Sequence, residues 1–136
     1  MPDIARKIRD SFARQSLITT LGATLDTIAD GTVTITAPIL DLAKQQHGHG
    51  HAALTFAIAD SAAGYAALTL MDAEAEVLTA EMKINLLAPA SGDRLIAEGR
   101  VIKPGRRLVI VQSDVFAETD GTRRHIAIAQ GTMIPV

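Results

Sequence analysis

The chain has 136 residues, 48% hydrophobic and only 3% aromatic, with a formal net charge of −2 and no cysteine. That length suits one domain, residues 1–136, with a real core. The charge balance argues against nucleic-acid binding by bulk electrostatics, the shortage of aromatics removes a base-stacking platform, and the lack of thiols excludes disulfides and thiolate metal centres.

Residues 3–14 read as a short helix. Asp3 can cap it, and Ile4, Ile8 and Phe12 recur at i, i+4 and i+8, while Arg6, Lys7, Arg9, Asp10 and Arg14 take the other faces. The start carries mixed charge and no apolar run of a secretion signal, so a cytoplasmic setting is expected. Residues 17–28, rich in Thr and branched side chains, predict a strand closed by the hairpin dipeptide Asp30-Gly31. Residues 32–37 alternate strictly and make the return strand, which Pro38 ends. Residues 39–50 are a loop.

From residue 52 to 71 the chain is Ala-rich, proline-free and apolar on nearly every face, which predicts a helix buried all round. The run is long enough to cross a bilayer, but Asp60 and the strand-like flanks argue against a membrane. After a polar turn at 72–76, residues 77–87 alternate. Leu78, Ala80, Met82, Ile84 and Leu86 fall on one face, and Thr79, Glu81, Lys83 and Asn85 on the other. Strands are expected at 94–102, 108–116 and 123–134. The order α-β-β-α-β-β-β-β gives an α+β fold, an antiparallel sheet of five to six strands wrapped around one long apolar helix. Its exposed edges predict assembly into an oligomer.

Asp60 is the point of conflict. A carboxylate within an apolar helix costs several kcal/mol unless it is paired or faces a wet cavity. Function is therefore expected there; the alternative is a structural acid satisfied by backbone amides or Ser61. His47, His49 and His51 alternate with glycine and suggest a zinc loop, yet no fourth ligand is evident and no metal is expected. The loop glycines match no phosphate-cradling pattern.

Three stretches carry a resemblance. The first is Gln45, then His51-Ala52-Ala53, then Asp60, with the amide fifteen positions and the histidine nine positions before the acid. The second runs from Thr79 to Pro89, and the third is Val101-Ile-Lys-Pro-Gly-Arg-Arg-Leu108. In their order and spacing the chain resembles, over about residues 20–134, the hot-dog-fold acyl-CoA thioesterases of the phenylacetate-degradation (PaaI-like) group. It departs from that group in carrying Gln45 where Asn is usual and His-Ala-Ala where His-Gly-Gly is usual.

The resemblance implies hydrolysis of aryl or medium-size acyl-CoA thioesters. Asp60 would act as general base or as nucleophile. The backbone amide of Ala52, at a helix start, would hold the oxyanion, with Ala53 as a further candidate. Gln45 would orient the water or the thioester oxygen, and the Thr79 hydroxyl would support the water. His51 and Ala53 would lie against substrate, and Lys103, Arg106 and Arg107 would meet the phosphates of coenzyme A. The assembly implied is a homodimer or dimer of dimers, with Gln45 and Ala52 of one subunit facing Asp60 and Thr79 of the other. No cofactor is implied beyond the coenzyme A of the substrate. His51 has a rival role as a helix-capping residue, Gln45 as an ordinary loop amide, and the basic turn as a solvated one. The alternative function is a non-catalytic acyl-CoA-binding protein on the same fold, which the Ala52-Ala53 pair keeps open. A dehydratase on this fold would need a different His-plus-acid arrangement.

Overall fold

The computed structural model describes residues 2–136. Helices α1 (Pro2–Ala13) and α2 (Ser16–Thr20) precede the hairpin β1 (Thr24–Ala29) and β2 (Thr32–Pro38). A short 3-10 turn (Asp41–Ala43) leads to the long helix α3 (Ala52–Leu68), followed by β3 (Val77–Leu86), β4 (Arg94–Lys103), β5 (Val109–Thr119) and β6 (Thr122–Pro135). The six strands form one sheet in the order β1-β2-β4-β5-β6-β3, and every neighbouring pair is antiparallel.

α3 crosses the inner face of the sheet and packs most heavily on β4. Its run of alanines lets the backbones approach closely. At Gly99 of β4 an added β-carbon would sit 2.3 Å from the backbone carbonyl carbon of Ala62, so only glycine fits there. Next to it, the buried Ser113 hydroxyl donates to the Ala59 carbonyl at 2.6 Å. At its far end, α3 stops at Leu68, before the expected residue 71. Here Thr69 Oγ1 donates to the Ala66 carbonyl at 2.6 Å and accepts the Gly31 N–H at 2.7 Å. Among the described residues no helix is long and apolar enough to cross a membrane.

Three expectations change. Residues 17–28 are not one strand: the first part is α2, and the strand begins only at Thr24. Ile18 and Leu21 lie three apart, and a helical turn buries both, leaving them 1% and 7% exposed. Burial here outweighs the strand preference of Thr and Ile. Gly22, at φ +74°, then redirects the chain into β1.

Nor is α3 buried all round. Residues 62–68 are sealed, but the first half leaves Ala52, Ala53 and Phe56 exposed and Asp60 and Ser61 partly so. The sheet covers one side of that half, and the other faces clefts walled in part by Ser11, Gln15 and α2.

Finally, the alternation of β3 breaks. Thr79 pairs with Met133 and Glu81 with Thr132, so Ala80 is an extra residue, a β-bulge. Val77 packs inward on one side of it, and Met82 and Ile84 on the other. Leu78, expected on the inner face, is 54% exposed.

Candidate active site

The bulge turns Thr79 toward α3, where its hydroxyl donates to Asp60 Oδ1 at 2.7 Å. Asp60 sits between two clefts. One, of about 230 Å³, includes Ser11, Gln15, Tyr65, Val77 and Thr79 in its walls. The other, of about 540 Å³ and mostly apolar, includes Leu17, Ala53, Phe56, Ala57 and Ile84. The acid is thus paired on one oxygen and open to space large enough for a ligand. Its bonded partner is Thr79, not Ser61. Burial raises the pKa of Asp60 above the ordinary carboxylate value, and the Thr79 hydrogen bond opposes that rise only in part. A carboxylate in this state is a stronger base than one in water.

At the start of α3, His51 takes the capping position, with φ −64° and ψ 146°. Its Nδ1 accepts the Ala53 N–H at 2.9 Å. The capping role, raised as the rival for His51, is therefore real. With Nδ1 accepting, the ring of neutral His51 keeps its proton on Nε2 as a donor. The cap also corrects the role of Ala53: its N–H is spent on His51, so it is no oxyanion donor, and Ala53 contributes its methyl group to the cleft beside Asp60. The Ala52 N–H has no partner within the chain among the described residues. It remains a free donor at the positive end of the helix.

Gln45 braces its own loop, as an ordinary loop amide does. Its Oε1 accepts the backbone N–H groups of His47 and His49 at 2.6 and 3.2 Å. Both partners are donors, so the oxygen must face them, and the NH2 group is left to donate. Gln45 lines a third cleft, of about 510 Å³, together with His49, Ala52, Leu87 and Pro89. Among the described residues no group of three His, Cys, Asp or Glu side chains is arranged to hold a metal.

The chain does not gather all these groups by itself. Gln45 and Asp60 line different clefts. Ala52 lines the apolar cleft together with Asp60, but the two are eight residues apart on one helix, about 12 Å along its axis. Lys103, Arg106 and Arg107 are exposed on the β4–β5 turn and share none of these clefts. Arg123, at the start of β6 and the opposite end of β5 from that turn, is paired with Glu98 at 3.0 Å and lies over the Phe116 ring.

One cluster has no forewarning in the sequence. Tyr65, 5% exposed on α3, has its hydroxyl 2.9 Å from Ser11 Oγ and accepts from Gln15 Nε2 at 2.8 Å. Ser11 and Gln15 read as surface positions because their partner lies 50 or more residues away. The one available signal is that Tyr65 is the sole tyrosine of the chain.

A long Ala-rich helix laid across an all-antiparallel six-stranded sheet, with an acid on its open side, is the hot-dog architecture. The chain belongs to the thioesterase superfamily, a class of thioester hydrolases, whose pattern it matches over residues 47–123. It is similar to a solved thioesterase family protein from Silicibacter pomeroyi, with 44% identity, a TM-score of 0.95 and 98% of each chain covered. It is 38% identical, over 84 residues, to a protein of Saccharolobus solfataricus named provisionally as an esterase; this covers 62% of the chain and 53% of that relative. The PaaI protein of the E. coli phenylacetic acid degradation operon shares the fold, with a TM-score of 0.88, 17% identity, and 98% and 94% of the two chains covered.

Proposed function

We propose that the chain is an acyl-CoA thioesterase that acts on aryl or medium-size acyl groups at a site shared by two subunits. The observation that carries this reading is the Asp60–Thr79 pair: a carboxylate made more basic by burial, with one oxygen held and the other free, beside clefts of ligand size. The thioester oxygen lies against the Ala52 N–H and the Gln45 NH2 group of one subunit. Asp60 of the other removes a proton from water as the water oxygen attacks the thioester carbon. Collapse of the tetrahedral intermediate breaks the C–S bond. The coenzyme A thiolate leaves and is protonated, and the acyl group departs as a carboxylic acid. Direct attack by Asp60, through a mixed anhydride, uses the same geometry.

Two observations support the shared site. Gln45 and Asp60 line separate clefts in one chain. The strand β3 ends the sheet with ten residues whose outer edge is unpaired, a natural place for a second copy to continue it. A dimer of dimers would let Lys103, Arg106 and Arg107 of a neighbouring subunit meet the phosphates of coenzyme A.

The test is thiol release from a panel of phenylacetyl-, benzoyl-, short-chain and long-chain coenzyme A thioesters, with Asp60→Ala alongside. Turnover lowered about 10²–10⁴-fold by the substitution is expected. Undiminished hydrolysis in Asp60→Ala would sink the assignment. Binding of the thioesters with no hydrolysis would favour the acyl-CoA-binding alternative, which the single free donor at the helix start makes specific.

A further inference from the structure

Along β5 the inward positions are Val109, Val111, Ser113, Val115 and Ala117, and all are buried. The polar member, Ser113, is fully buried and donates its hydroxyl proton to the Ala59 carbonyl of α3 at 2.6 Å. We infer that Ser113 is a positioning residue for the reaction: by holding Ala59, it sets where Asp60, the next residue of α3, meets Thr79. This rests on the reading of Asp60 as the reacting acid.

Stability does not explain the serine. A carbonyl inside a helix already accepts the N–H four residues on, so Ala59 needs no second donor. Burying a hydroxyl costs about what its hydrogen bond returns. Alanine has nearly the same size, would continue the apolar pattern and would leave no orphaned group. What alanine lacks is a directional contact.

Direction matters on this part of the sheet. Ser113 lies between Gly99 of β4 and Ala129 of β6, a row of three small residues. The backbone of α3 at Ala62 rests against Gly99. Small side chains let the helix come close, but apolar contact is non-directional and does not by itself fix the height of the helix over the sheet. A hydrogen bond fixes both a distance and an angle. The Ser113 bond therefore pins α3 just where its sealed half, residues 62–68, gives way to its open half.

Asp60 follows that pin directly. Its bond to the Thr79 hydroxyl, at 2.7 Å, reaches to β3 at the edge of the sheet. A small slip of α3 would stretch this bond and carry the free carboxylate oxygen away from the attacking water. A misplacement of about 1 Å costs about 100-fold in rate. Ser113 lines neither cleft beside Asp60, so it acts on the place of the acid and not on substrate binding.

The experiment uses Ser113→Ala, Thr79→Val and the double variant of the full-length protein. Thiol release across pH, from the best coenzyme A thioester of the panel, gives kcat and KM. NMR of protein labelled at the aspartate carboxyl carbons follows the titration of Asp60 without any turnover. Ser113→Ala is expected to lower kcat about tenfold and to leave KM within about twofold. It should also move the Asp60 titration to higher pH, the direction in which loss of the Thr79 bond moves it. β6 lies between Ser113 and Thr79, and their partners on it, Ala129 and Met133, are four residues apart. Substitutions so separated are normally additive. Here Ser113→Ala should change neither kcat nor the titration further once Thr79 is valine. Unchanged kcat and titration in Ser113→Ala, or an equal loss with and without Thr79, overturns the inference, because a merely structural serine would give one or the other. If the wild-type protein releases no thiol, the thioesterase reading falls, and the coupled shift of the Asp60 titration, present or absent, still decides the role of Ser113.

Discussion

The two halves of α3 have nearly the same apolar, Ala-rich composition and opposite tasks. Residues 62–68 lie sealed against the sheet, close enough that Gly99 must lack a side chain. Residues 52–61 press only one side onto the sheet and leave the other to three clefts, a free N–H and a carboxylate. Composition decides that both halves are helical. Position over the sheet decides which half holds the fold together and which does chemistry. Substitutions in the two halves should therefore separate cleanly into losses of stability and losses of rate.

The largest effect expected is on rate, from Asp60→Ala in the open half. Activity should fall about 10²–10⁴-fold while the melting temperature is kept, as steady-state kinetics and calorimetry would show. Next is the sealed half. Gly99→Val places carbon atoms inside the backbone of α3 and should cost about 3 kcal/mol, a fall of about 10 °C in Tm by thermal unfolding. Equal thermal stability in that variant would contradict the close approach of helix and strand.

Thr79→Val sharpens the comparison within the open half. The Asp60 carboxylate must be ionised to act as base, so kcat/KM falls as pH drops through its raised pKa. The Thr79 hydrogen bond lowers that pKa, so its loss should move the acid limb of the pH–rate profile to higher pH. A profile that keeps its inflection while losing amplitude would mean that Thr79 acts on the water and not on the acid.

The smallest effect is one of stability, and its sign is opposite. Folding raises the pKa of Asp60, so between its unfolded and folded pKa values the native state binds more protons and stability falls as pH rises. Asp60→Asn removes that charge and should melt slightly higher than the wild type at neutral pH, while losing activity. The advantage should shrink in acid, as the wild-type carboxyl is neutralised; a lower Tm at neutral pH would show that the charge is stabilised by groups other than Thr79.

The helix and its acid are legible in the sequence, but the division of α3 is not, because its even apolar composition reads as burial all round. The apolar run with its lone acid announced both α3 and the site, because an uncompensated carboxylate in a helix needs a reason. The turn Asp30-Gly31 announced its hairpin, and the resemblance put Thr79 in one site with Asp60, as support for the water and not as the hydrogen-bond partner of the acid that it is. The strand pattern alone, however, put Thr79 on the wrong face, because the bulge at Ala80 breaks the period of two and no residue there advertises a bulge. Residues 17–21 were unreadable as helix because their branched side chains favour a strand in isolation. The roles of Ser11 and Gln15 depend wholly on Tyr65, which only the folded chain brings near.

The extra residue in β3 works as a frameshift in the pleat. Upstream of Ala80 the inward positions are odd-numbered, and downstream they are even-numbered. Removing Ala80 outright leaves Val77, Thr79, Met82 and Ile84 all inward and alters only the local twist of the edge. Ironing the bulge flat with Ala80 in place would instead turn Leu78 toward the acid. Length and composition thus address different properties of the same strand: an inserted residue sets which side chain the carboxylate meets, and a substitution sets what that side chain can do.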